Sequence, residues 1–151
     1  MTFAAGQPLT ATDLNMTPST NADPTARTTT SIAFTTTLSP ANICGVAFVA
    51  PPTGKVMIFW NSSCANGSSP NIAQCSPSIR TGSVVGSGSV FQASDTTIAL
   101  TAISSTRAGA STLVTGLTPG DTYNVALEHR SFSAGTSTFQ ERDVTVVPQI
   151  A

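Results

Sequence analysis

A chain of 151 residues has room for one domain with a core of its own, not for two. Only 9% of the residues are charged and the net charge is -1, with Lys55 the sole lysine, so no basic stripe is present to neutralise phosphates and nucleic-acid binding is excluded as a main role. No stretch approaches the ~20 apolar residues of a spanning helix, and the N-terminus lacks the positive and apolar regions of a secretory signal, so neither membrane insertion nor ordinary secretion is expected.

Serine and threonine supply nearly three residues in ten, a strand-leaning and poorly helical mixture. Residues 1–27 show no sustained apolar period and are rich in Thr, Pro, Asn and Ala, which predicts an extended N-terminal arm reaching up to about 90 Å at ~3.3 Å per residue. Within it, the stretch from Leu9 to Asn15 forms at most one amphipathic turn presenting Leu9 and Leu14 to a partner. The folded domain is expected over 28–151.

A period of two begins with Ile32, Phe34 and Thr36 on one side of a strand and Ser31, Ala33 and Thr35 on the other. Val46 and Phe48 mark a second strand that ends in a turn at Pro51-Pro52-Thr53-Gly54. Next comes Lys55-Val56-Met57-Ile58-Phe59-Trp60, which is apolar on both faces. A lone antiparallel sandwich usually leaves one strand face wet, so this run predicts core on one side and a partner subunit on the other; a central strand covered by a loop is the plainer reading. Residues 61–75 read as the longest loop, with Asn61, Asn66, Asn71 and Gln74 suited to hydrogen bonding a sugar or a protein.

Shorter strands are expected at 78–81, 89–92, 97–103, 111–117, 122–131 and 139–147, separated by Gly, Ser, Pro and Asp clusters. That spacing points to a sandwich or jelly roll rather than βαβ units. Leu117-Thr118-Pro119-Gly120-Asp121 is the clearest turn, with Gly120 placed to accept a positive φ. After it Tyr123, Val125, Leu127 and His129 alternate inward, opposite Asn124, Ala126, Glu128 and Arg130.

Three cysteines cannot all pair within one chain. The sequence leaves open a Cys64–Cys75 disulfide pinning the loop between them, or three reduced thiols with Cys44 buried beside Val46 and Phe48. No close Cys pair or Cys/His cluster suggests a metal, and no cofactor motif is present: the Gly82 to Gly88 stretch has no helix after it and is no phosphate cradle. For catalysis the missing part is the base. His129 is the only histidine and lies on a core-facing strand side, Asp95, Asp121 and Asp143 adjoin turns, and Glu128 and Glu141 lie beside arginines, so no catalytic residue is assigned and the chain is expected not to be an enzyme.

The opening Phe3-Ala4-Ala5-Gly6-Gln7-Pro8-Leu9-Thr10-Ala11-Thr12-Asp13-Leu14-Asn15 resembles the F-x-x-G-x-x-L-T-A-x-x-L-N start of phage tail-fibre, minor tail and head-fibre proteins. The remainder, through Phe48 to Val56, Gly116 to Gly120, Gly135 to Phe139 and Val144 to Pro148, is similar to small jelly-roll virion proteins of phages that infect actinobacteria. The resemblance implies an all-β, antiparallel jelly-roll sandwich of the tumour-necrosis-factor-like kind, assembled as a homotrimer in the virion after synthesis in the host cytoplasm. Its arm, through Phe3, Gly6, Leu9, Leu14 and Asn15, would dock on another virion protein of the tail or the capsid. Met57, Phe59, Tyr123 and His129 are then the trimer-interface candidates, and a host surface glycan is a further partner. The insertion carrying Cys64 and Cys75 departs from the family's compact pattern.

Two rivals come from other classes. Gly116 to Tyr123 also resembles the turn and tyrosine of fibronectin type III modules, which implies a monomeric adhesion or carbohydrate-binding accessory domain, although roughly 120 residues exceed the ~100 of that class. A polysaccharide-degrading tail enzyme is opposed by the shortage of titratable side chains.

Overall fold

The computed structural model describes residues 17–67, 72–132 and 135–149. Ten strands follow one another: β1 (Ser19–Asp23), β2 (Arg27–Thr29), β3 (Gly45–Val49), β4 (Val56–Asn66), β5 (Ala73–Thr81), β6 (Val90–Gln92), β7 (Leu100–Ala102), β8 (Thr106–Val114), β9 (Thr122–Ser131) and β10 (Ser137–Pro148). They form two sheets, one ordered β1-β10-β4-β8 with β2 also on β10, the other β3-β9-β5-β6 with β7 also on β5. Every pairing is antiparallel, and the architecture is the expected all-β jelly-roll sandwich.

The strands form where apolar and polar residues alternate. Val56, Ile58 and Trp60 of β4 meet Val144 and Val146 of β10 on the inner face of the first sheet, against Ile79, Val125 and Leu127 of the second. Removing this apolar surface from water stabilises the fold by about 25 cal/mol per Å² buried. In β10 the inward set shifts phase, from Ser137 and Phe139 to Arg142, Val144 and Val146. A β-bulge between Gln140 and Asp143 causes it, with Glu141 in the left-handed region at φ 49°.

The turn before β9 is built as its sequence demands. Gly120 has φ 84°, and the Asp121 N–H donates to the Thr118 carbonyl at 3.1 Å. The Thr118 N–H also donates to the Tyr123 hydroxyl at 3.1 Å, tying the turn to the strand and drawing Tyr123 into the core.

Several expectations need correction. The arm does not run to residue 27, because β1 adds to the edge of β10 from Ser19↔Val146 to Asp23↔Arg142 and β2 starts at Arg27. What precedes residue 17, including Phe3, Gly6, Leu9, Leu14 and Asn15, lies outside the described residues. Residues 31–36 form no strand despite their alternation. There the Ser31 hydroxyl donates to the Ala33 carbonyl and the Thr37 N–H to the Thr35 hydroxyl, and Ile32 is 67% exposed. Such local side-chain bonds compete with a ladder.

Within the loop expected over 61–75, residues 61–66 are instead the second half of β4 and 73–75 the start of β5. Cys64 and Cys75 consequently sit on strands of different sheets, β4 and β5. All three cysteines are free and buried.

Candidate functional site

The outer faces of the two sheets differ. The segments on either side of β6, residues 82–89 and 93–99, fold over part of the outer face of the second sheet, the first fastened by Asn124, whose side chain accepts from the Gly86 N–H at 2.9 Å and donates to the Gly82 and Ser87 carbonyls at 3.0 and 3.1 Å. The Ser94 hydroxyl bonds the Ser76 carbonyl and the Asp95 N–H bonds the Ser76 hydroxyl. Asn124, Ala126, Ser76 and Ser78 are buried as a result.

The outer face of the first sheet carries no such cover. Register puts Met57 of β4 between Leu113 of β8 and Val147 of β10, and Phe59 between Ser111 and Thr145, with Thr20 of β1 beyond Thr145. Phe59 is 46% exposed and Leu113 51%. The next row is polar: Gly109, Asn61 and Asp143. A shallow cleft of about 380 Å³ lies there, lined by Phe59, Asn61, Gly109, Ser111 and Asp143. Gly109 shapes it, because a Cβ at that position would stand 3.5 Å from the Asn61 Cβ, an ordinary contact that fills the notch. Arg107 borders the cleft, bonding Glu141 at 2.9 Å and Asn61 at 3.3 Å, with Asp143 at 3.9 Å.

No family model and no curated protein sequence matches the chain. Among solved structures, the CBM22-1 xylan-binding domain from Paenibacillus barcinonensis Xyn10C is similar at a TM-score of 0.37 and 13% identity, over 64% of this chain and 57% of that one. The chain thus spans under two thirds of that domain's length.

The interface candidates divide by strand side. Met57 and Phe59 lie on the open face, whereas Tyr123 and His129 are in the core, at 4% and 0% exposure, and so cannot touch a second subunit. Alternation along β9 had placed those two inward correctly; the packing of the second sheet on the first closes that side completely. Of the recognition candidates, Asn66 is buried and donates to the Ser131 and Ser137 hydroxyls, and Gln74 is buried on β5. Asn61 alone reaches the cleft, and Asn71 lies outside the described residues.

The core holds the titratable groups that chemistry would need. Burial, aided by the charge of Arg142, pushes His129 down to about 3, and its ring stands edge-on to Phe139 with centroids 4.6 Å apart. Burial pushes the Cys44 and Cys64 thiols up to about 11 and Cys75 well above the usual thiol range, so none is a ready thiolate. Asp23 accepts from Arg27 at 2.5 Å, from Arg142 and from Asn42 at 3.0 Å. Its own burial raises the carboxyl's pKa, but the Arg27 and Thr25 hydrogen bonds with the Arg142 charge outweigh that and hold it well below the usual carboxylate range. Asp23 and Arg142 were not legible as a pair in the sequence. Among the described residues no cluster of His, Cys, Asp or Glu is arranged to hold a metal, and no helix is long and apolar enough to cross a membrane.

Proposed function

We propose that this chain is a non-catalytic surface module of a tailed-phage particle, a homotrimer joined through the open face of the β1-β10-β4-β8 sheet. The residues ahead of β1 anchor it to the tail or the capsid. The observation that carries this is the uncovered band of Met57, Phe59, Leu113 and Val147 on one sheet, while Ser76, Ser78, Asn124 and Ala126 on the other sheet's outer face are buried.

The occupant of the band is a second copy of the chain. Four strands spaced ~4.8 Å over about nine residues span on the order of 600 Å², close to the roughly 800 Å² per partner of a standard interface. The face is also close to neutral, since Arg107 is matched by Glu141 and Asp143, so like copies meet there without strong repulsion. The burial of His129 and the cysteines, and the pairing of Glu128 with Arg80, support a role without catalysis.

A monomeric carbohydrate-binding module is the second reading, favoured by the polar cleft beside the Phe59 ring. The two separate on solution mass: light scattering across a concentration range should give a trimer, and a stable monomer overturns the assembly reading in favour of the module.

A further inference from the structure

Five arginines stand in this chain, and four meet carboxylates: Arg27 and Arg142 share Asp23, Arg80 bonds Glu128, and Arg107 bonds Glu141. Arg130 makes no ion pair among the described residues. Instead its guanidinium lies between two rings, its Cζ 4.7 Å from the centroid of Phe34 and 4.9 Å from that of Phe132. Its Nε donates to the Gln74 side-chain oxygen at 2.7 Å, and the Gln74 amide donates in turn to the Thr101 hydroxyl at 3.1 Å. Gln74 is 7% exposed and Phe132 54%, so a buried amide holds the guanidinium by one edge while the outer ring stands in water.

From this we infer that Phe34, Arg130 and Phe132 form a binding site for an acidic saccharide, one whose sugar ring carries a carboxylate. The guanidinium's terminal nitrogens form a planar fork matched to a carboxylate's two oxygens. Two rings and Gln74 already fix that fork, so little rotamer freedom is lost when a ligand arrives. The free surface of Phe132 suits the C–H face of a pyranose, which packs on aromatic carbon while its hydroxyls stay hydrated. An unmatched cation selects the acidic sugar over a neutral one. The site lies on the opposite sheet from Phe59 and needs neither the trimer nor the anchor. It deepens the proposed surface role by naming what the outward side would touch.

The test is calorimetric titration of the full chain with trigalacturonic acid, its neutral methyl ester, sodium acetate and an acidic hexapeptide, repeated with R130Q, R130K and F132A. Thermal melts verify that each variant is folded, and R130K keeps the charge where R130Q loses it. The expected result is binding of the trisaccharide that weakens at least tenfold in R130Q and F132A, weakens severalfold in R130K, and is lost with the ester. Equal binding of acid and ester, full affinity in F132A, preference for the peptide, or no binding at millimolar saccharide would each overturn it. The protein's mass is measured separately, so a failed titration leaves the assembly reading standing, and a monomer leaves the saccharide site standing.

Discussion

Arg142 of β10 donates to Asp23 of β1 where the two strands pair, with the arginine side chain fully buried and the aspartate 5% exposed. Residues that read as the tail end of an arm are in this way locked into the sandwich. Replacing Asp23 by Ala leaves two guanidinium groups, those of Arg27 and Arg142, without their carboxylate, and removing one partner of a buried pair costs about 3–5 kcal/mol. Urea unfolding of D23A should therefore show a large loss of stability. A chain lacking residues 1–16 should melt like the intact one, whereas a chain lacking 1–27 should be strongly destabilised; equal melting of all three contradicts the latch.

Acid should weaken the fold in two stages. His129 is held neutral when folded, pushed down to about 3 from an ordinary 6.5, so the unfolded chain takes up the proton first. Its contribution is complete above about pH 6.5 and is lost as pH falls toward 3, at up to about 1.4 kcal/mol per pH unit. Asp23, whose folded pKa is depressed, contributes stability that is present above its ordinary value of 3.8 and is lost as pH falls below it. Urea midpoints measured between pH 7.5 and 3.5 should decline through the first window in the wild type and flatten there in H129L. A wild-type midpoint constant from pH 7 to 4.5 would rule out a neutral buried histidine as the cause.

The three thiols should be silent in the native state. Buried, and with pKa values pushed up, Cys44, Cys64 and Cys75 should react with an aromatic disulfide reagent only on unfolding, and then all three together. Reductant should leave the melting temperature unchanged. A shift on reduction would contradict three free thiols.

Tyr123 offers a smaller test. Losing its hydroxyl removes the acceptor of the Thr118 N–H, and Y123F should cost about 1 kcal/mol in urea unfolding, with the fold retained.

Much of the sandwich was legible where alternation is strict. The limits of β9 are those its sequence pattern marks, and the two-sided run of β4 does place Val56, Ile58 and Trp60 in the core with Met57 and Phe59 outside. Even the bulge in β10 left a trace, because Phe139 and Val144 are an odd number of residues apart and cannot both face inward on an unbroken strand. Other features were hidden for physical reasons. Asp23 and Arg142 are 119 residues apart, and only the pairing of β1 with β10 brings them together. The same holds for Phe34 and Arg130, joined through a segment whose alternation imitates a strand. The polar composition of 61–75 suggested a loop, whereas at the end of β4 a buried polar side chain finds partners within the sandwich, Asn66 donating to Ser131 and Ser137.

In the proposed assembly, like chains meet on the open face of β4 and its neighbours. Its most direct test is light scattering on the intact chain, on the chain lacking residues 1–16, and on F59K, which puts a charge at the centre of the apolar band. A trimer is expected for the first two, and a folded monomer for F59K with an unchanged melting profile at low concentration. A concentration-independent monomer for the intact chain, or a trimer undisturbed in F59K, would contradict it.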